Sequence, residues 1–243
     1  MPIAAGKVKL IYLTRRIEAA EKKTAVLPNG TTMNADLSEA VQRLVYFLGN
    51  YEPGVSRVIT QTLKPGDIFI DIGAHVGYFT LLASTRVGPE GKIFSFEPQP
   101  QVFLDLEQNV KLNRLDNVRM FRSAVFDANQ DLEIFLPVEG NTGTASFIKR
   151  PDAPGTSINC PATTLDSFIE RESIGRIKLI KMDIEGGEPR ALEGMAKTLS
   201  ESKDVVLFIE FNHQLLHRAG VNPPDLFAQL DDAGFDSMLI NEG

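Results

Sequence analysis

Apolar positions along this chain recur at two alternating spacings, about 3.6 for helices and 2 for strands, and the order of the blocks suggests β/α alternation. From Asn34, Leu37, Val41, Leu44, Val45 and Leu48 fall on one helical face, with Gly49-Asn50 as a stop. A second helical face, Val55, Val58, Ile59 and Leu63, runs from the Tyr51-Glu52-Pro53-Gly54 turn to Pro65-Gly66. The stretch 66–98, GDIFIDIGAHVGYFTLLASTRVGPEGKIFSFEP, then reads as strand, tight loop, helix and strand. Its first apolar run (Ile68, Phe69, Ile70) ends on Asp71 and its second (Lys92 to Phe96) on Glu97. Two parallel strands joined by a right-handed crossover, each with an acid at its tip, are predicted.

Val102, Leu106 and Val110 mark a helix running to about Leu115, and Val118 to Val125 reads as a third strand. Residues 130–162 break the regular alternation with short runs, DLEIFLPV and TASFIKR, around Gly140-Asn141-Thr142-Gly143, and Pro151, Pro154 and Gly155 extend them into a loop. A hairpin insertion is predicted there. Ile177 to Met182 is a buried strand apart from its lysines, followed by one helix from Pro189 with Leu192, Met195 and Leu199 inward. Val205 to Ile209 is a further strand, Pro223 opens the last helix, and Phe235 to Ile240 is expected as the final strand. Residues 1–33 are weakly patterned, with one apolar stretch at Leu10 to Leu13. The expected division is a helical appendage or cap, 1–64, and an α/β core, 65–243, whose sheet is mostly parallel with helices on both faces and whose insertion lies between the third and fourth core strands.

With 243 residues and 43% hydrophobic content, the chain can bury one sizeable core. A net charge of −7 without any basic run argues against nucleic acid and points to a small-molecule partner. No apolar run is long enough to span a bilayer and no signal-peptide pattern opens the chain, so no membrane partner and a cytoplasmic location are expected. The single cysteine, Cys160, reads as a buried, unreactive residue. The insertion leaves room for an oligomer contact.

In an open parallel sheet the ligand crevice lies beyond the carboxyl ends of the strands, where Asp71 and Glu97 arrive. A carboxylate closing the second strand can accept bonds from both ribose hydroxyls, and one closing the first can sit near a cationic part of the ligand. The glycines of the intervening loop admit close backbone approach. This suits a nucleoside bearing an amino-acid or dinucleotide tail. The order Asp71-x-Gly73-x-His75-x-Gly77 is not the dinucleotide fingerprint GxGxxG. A second charged centre follows Met182, where Asp183, Glu185 and Glu188 place three carboxylates in six residues. Such a group at the end of a buried strand is costly unless solvated, paired or used. Glu188 has the alternative of facing the positive end of the helix that Pro189 begins. His213, just past Glu210, is a candidate general base. Asp183, Glu185, Glu210 and His213 offer donors for a divalent metal as an alternative, although no metal is expected.

The loop resembles that of class I S-adenosylmethionine methyltransferases, D/E-x-G-x-G-x-G, with His75 in place of the middle glycine. A closer resemblance, to the FkbM family of methyltransferases, rests on YEPG from Tyr51, PGDIFIDIGAHVGYFT from Pro65, FSFEPQP from Phe94, TTLDSF from Thr163, KMDIEGGEPRALEGM from Lys181 and FIEFN from Phe208. Members of that family often carry Asn at the position of His75. The resemblance implies a Rossmann-like sheet and S-adenosylmethionine as cofactor, with Asp71, Gly73, His75, Gly77, Glu97, Ser123 and Ala124 around it. It also implies a small hydroxylated acceptor, such as a sugar or polyketide, whose hydroxyl is positioned or deprotonated by a carboxylate of the Asp183-Glu185 block, with Tyr51 and Glu52 covering the crevice. A nucleotide-dependent oxidoreductase and a catalytically silent cofactor binder are the competing readings.

Overall fold

The structure, a computed structural model, describes residues 22–136, 142–149 and 156–240. The apolar stretch at 10–13, Gly140-Asn141 of the expected turn and the loop containing Pro151, Pro154 and Gly155 lie outside the described residues. The described chain opens on an antiparallel hairpin, β1 (Lys22–Val26) and β2 (Thr32–Asp36), then α1 (Ala40–Leu48) and α2 (Pro53–Thr62). The helix expected from Asn34 therefore starts later. Met33 and Ala35 alternate inward from a strand, both fully buried, and a period-2 signal carried by two residues is too short to stand out in sequence.

The central sheet has five parallel strands in the order β10-β9-β3-β4-β5: β3 (Ile68–Ile72), β4 (Lys92–Phe96), β5 (Val118–Phe121), β9 (Leu179–Met182) and β10 (Val206–Ile209). Helix α3 (Tyr78–Val87) links β3 to β4, and α4 (Pro100–Leu112) links β4 to β5. One face packs Phe69, Leu179 and Ile93 against α3, α4 and the hairpin. The other packs Ile70, Phe94, Phe96, Ile180 and Met182 against α5 (Leu165–Glu172), α6 (Glu188–Glu193), α7 (Ala196–Glu201), α8 (His213–Arg218) and α9 (Pro223–Asp232). Near-continuous apolar strands follow from burial on both faces.

Four expectations are corrected. The third strand ends at Phe121, and Ala124–Val125 (β6) belongs to a separate three-stranded sheet with β7 (Gln130–Phe135) and β8 (Ser157–Thr163), in the order β6-β8-β7. In the insertion β7 pairs with β8, not with TASFIKR, which touches it through one bridge, Phe135 to Ser146. Helix 189–199 is two short helices interrupted at Gly194, where a Cβ would collide with the carbonyl of Phe126. Phe235–Ile240 is not a strand. No strand pairs with it among the described residues, and Met238 and Leu239 are exposed. Cys160 is buried in β8 with its thiol pushed up to about 11 by burial, which removes its nucleophilic form.

Register sets what the sheet presents. Ile72 pairs with Phe96 and with Met182, and Met182 with Ile209, so Gly73, Glu97, Asp183 and Glu210 each leave their strands at one level. Their amides still bond to the neighbouring strand ends: Gly73 to Phe96 O, Glu97 to Phe121 O, Asp183 to Ile72 O and Glu210 to Met182 O. Four chemically different positions are thereby lined up along one edge.

Candidate active site

Above this edge lies a crevice of about 300 Å³. Its floor is the loop 73–76, Glu97, Lys181, Asp183 and Glu210; its walls are α1 (Val41, Leu44), the turn at Tyr51-Glu52 and the insertion (Leu132, Ala145, Phe147). Ser123 and Ala124 line it, Ser123 bonding to the carbonyl of Pro161 at 3.0 Å.

The cofactor loop is tight. Gly73 has φ +76°, and a Cβ there would strike the carbonyl of Asp183, so only glycine permits β3 and β9 to end side by side. His75 has φ +52°, a region that His and Asn tolerate better than most side chains, which accounts for the substitution of one for the other. The Gly73 and Ala74 amides both donate to Phe96 O, the His75 amide to Glu97 Oε2 (3.0 Å), and the Gly77 amide to Ala74 O. These donors are consumed inside the loop, leaving none of the four to cradle a pyrophosphate.

Glu97 is almost wholly buried, with one amide on each oxygen, His75 on Oε2 and Gln99 on Oε1 (2.9 Å). Burial pushes its carboxyl up to about 7 against the pull of the Gln99 and His75 amides. Burial likewise holds the His75 imidazole down to about 4, with Lys181 adding to the effect, so the ring is neutral. Its Nε2 donates to Thr142 Oγ1 (2.9 Å), whose hydroxyl donates to Glu39 Oε2 (3.1 Å), while Gln99 Nε2 donates to Thr142 O (2.8 Å). Thr142 and Gln99 were not identified from sequence. They have no periodic signal because they fasten segments far apart in the chain.

Asp71 lies beneath the crevice, not on its wall. It is fully buried, accepts from Thr80 Oγ1 (2.7 Å) and faces Lys181 Nζ at 3.6 Å. It is not among the residues that line the crevice, whereas Lys181 beside it is. Lys181 was not singled out as a site residue; its signal was a lysine within an otherwise apolar strand, and its register partner is Asp71.

Across the crevice, Asp183, Glu185 and Glu210 each bring a carboxylate oxygen within 4.8 Å of the others. Glu185 has φ +55°, which turns it back over the strand tip, and Ser146 Oγ bonds its carbonyl at 2.7 Å. Burial, then the Asp183 and Glu185 carboxylates, push Glu210 up to about 9. Three hard oxygen donors this close suit either a shared proton or a divalent cation. Glu188 holds the loop from below: its Oε1 accepts the Ile184 amide at 2.9 Å, and burial raises its carboxyl to about 7. Tyr51 packs edge-on to Tyr78, and burial, then Glu52, keep its phenol well above the ordinary range and therefore protonated. His213 is not brought to the crevice; it is exposed at the start of α8 with its ring against His217.

A five-stranded parallel sheet carrying a glycine loop after one strand, a buried acid after the next and carboxylates at the adjoining tips is the frame of a class I S-adenosylmethionine-dependent methyltransferase. The family model described as the methyltransferase FkbM domain matches residues 71–237, and the chain belongs to that family. It is 24% identical over 188 residues to the hexuronic acid methyltransferase AglP of Haloferax volcanii, covering 77% of this chain and 71% of that protein. It is 28% identical over 204 residues to the 31-O-demethyl-FK506 methyltransferase FkbM of Streptomyces tacrolimicus, covering 71% of this chain and 75% of that one. The 2-O-methyltransferase NoeI of Sinorhizobium fredii is 24% identical over 178 residues, covering 66% and 70%.

Proposed function

We propose that this methyltransferase acts on a hydroxyl of a small molecule, with Glu97 holding the ribose of S-adenosylmethionine and the Asp183-Glu185 block receiving the acceptor. The observation that carries the reading is Glu97. It is buried, braced by one amide on each oxygen, and still faces the crevice, where a carboxylate oxygen can accept a further bond from a sugar hydroxyl. Gly73, His75 and Gly77 shape the loop beside it, and Ser123-Ala124 border the other side. When bound, the cofactor supplies a methyl group on a sulfonium, a good leaving group.

The chain then has to orient and deprotonate. Asp183 is part-exposed at the crevice and accepts the hydrogen bond, then the proton, of the acceptor hydroxyl. Glu185 adds negative charge beside Asp183, which favours a cationic ligand, while Glu210, raised to about 9, holds a proton. The apolar walls, Val41 and Leu44 on one side and Leu132 and Phe147 on the other, displace water from both reactants. Residues 1–64 act in this reading as a cap on the core 65–243, supported by the share of the crevice that Met33, Val41, Leu44, Tyr51 and Glu52 line.

Two relatives carry an oxygen position in their names and one a hexuronic acid, which supports a sugar, polyketide or similar hydroxylated acceptor. Net charge −7 favours such a molecule over a nucleic acid. No helix among the described residues is long and apolar enough to cross a membrane. A cytoplasmic reaction is part of the proposal. The test is calorimetry with S-adenosylmethionine and S-adenosylhomocysteine, followed by a panel of sugars and polyketides scored for S-adenosylhomocysteine release. Heat with both ligands and release with at least one hydroxylated acceptor are expected; no heat with either ligand overturns the reading.

A further inference from the structure

A row of buried polar side chains crosses the sheet under the cofactor loop. Ser95, Thr80, Asp71 and Lys181 are all 0–2% exposed and sit within the apolar face shared with α3. Ser95 Oγ meets Thr80 Oγ1 at 2.7 Å, Thr80 donates to Asp71 Oδ2 at 2.7 Å, and Lys181 Nζ lies 3.6 Å from Asp71 Oδ1. Lys181 then reaches out of the row in two directions. It donates to Gly73 O at 3.0 Å and stands 3.6 Å from Asp183 Oδ2, with its ammonium 5.1 Å above the Phe79 ring. A buried ion pair rarely adds net stability over an apolar pair of the same shape, so an arrangement this costly calls for another role.

We infer that Lys181 is a positioning residue for methyl transfer: it ties the cofactor loop, through the Gly73 carbonyl, to Asp183 and commits one oxygen of that carboxylate, which also neighbours the Glu185 and Glu210 carboxylates. This rests on the methyltransferase reading above. Burial works against the ammonium, but Asp183 and Asp71 outweigh it and hold Lys181 above the ordinary lysine range, so the tie stays charged. Burial raises the Asp71 carboxyl, with Lys181 and Thr80 opposing. Without Lys181, a lone buried Asp71 would take up a proton. The main electrostatic change at the crevice would then be the release of Asp183.

That release can be read with two ligands of nearly the same shape that differ by one methyl and one positive charge. In calorimetry with S-adenosylmethionine and S-adenosylhomocysteine, Lys181→Met should shift the affinity ratio toward the sulfonium ligand by about fivefold, because the freed carboxylate can pair with it. In an Asp183→Asn background the same substitution should move the ratio by less than about twofold, since the group through which Lys181 acts is gone. A residue that only stabilises the core would weaken both ligands alike. An unchanged ratio, or equal shifts in the two backgrounds, overturns the inference. If Lys181→Met does not fold, the comparison is Asp71→Asn against Asp71→Asn/Lys181→Met, in which the buried charge opposite Lys181 is already absent; the same fivefold shift is expected and its absence is equally decisive. Failure of the wild type to bind either ligand would instead sink the methyltransferase reading itself.

Discussion

The two ends of the crevice treat negative charge in opposite ways. Glu97 has an amide on each oxygen, whereas Asp183, Glu185 and Glu210 crowd within 4.8 Å and Glu210 Oε2 meets no hydrogen-bond donor among the described residues. A braced carboxylate is preorganised to hold hydroxyls that do not react. A crowded set, short of donors, favours whatever brings a proton or a positive charge, which is what an acceptor hydroxyl and a sulfonium provide. On the proposed reading the contrast separates holding from reacting, and substitutions at each end should separate affinity from turnover.

The largest expected effect is at the crowded end. Asp183→Asn preserves shape but cannot take a proton, so turnover should fall by about 1000-fold, within the range for loss of a general base. S-adenosylhomocysteine affinity should stay within about threefold. Single-turnover kinetics with an acceptor from the panel, beside calorimetry, would show it; full activity would move the chemistry to Glu185. At the braced end the pattern reverses. Glu97→Ala removes the proposed ribose partner and leaves the His75 and Gln99 amides without an acceptor, so S-adenosylhomocysteine affinity should drop by about 100-fold or more. Unchanged affinity would erase the distinction between the two ends.

The difference also governs what the sequence discloses. The cofactor end is a continuous segment, Asp71 to Glu97, whose strand, loop and strand carry their own local signals, and it folded as expected except that Asp71 turned inward. Its depth depends on Lys181, 110 residues away in the chain, and a motif of neighbours has no way to show that. The proposed acceptor end is assembled from β9, β10, the Tyr51-Glu52 turn and the insertion. Asp183 and Glu185 were visible as acids after an apolar strand, but Glu210 becomes their neighbour only through the β9–β10 register. The break of the third strand at Arg122-Ser123 was hidden for a related reason: Phe121 and Val125 are both apolar, although they serve different sheets. Phe235–Ile240 was overread because an apolar run has the composition of a strand whether or not an edge is there to receive it.

A smaller effect should come from pH. The Glu97 carboxyl of the free protein sits at about 7, and hydroxyls bind its ionised form, so ligand binding expels a proton. S-adenosylhomocysteine affinity should therefore weaken by about tenfold between about pH 8 and pH 6, a neutral ligand limiting the direct influence of the acids opposite. Stability of the free protein should move in the other direction. A carboxyl raised in the fold contributes stability that is full below its unfolded value and lost as pH rises through the folded one, and Glu188 and Glu210 share that sign. Calorimetry at both pH values, with melting curves, distinguishes this titration from acid damage, which would lower both quantities together.

The smallest effect is expected at His213, and it tests whether the comparison has the right members. From sequence, a histidine one residue past Asn212 competes with Asp183 as the base. In the fold, Asn212 caps α8 by accepting the Gln214 and Leu215 amides, and this sets His213 on the exposed side of the helix against His217. A base has to lie within hydrogen-bond reach of the proton it removes, and His213 is not among the residues lining the crevice. His213→Ala should leave turnover within about twofold of wild type and the melting temperature little changed, as for other exposed positions without a structural task. A loss approaching that of Asp183→Asn would mean that α8 swings inward during turnover, and the reacting end would then have to be redrawn around the helix.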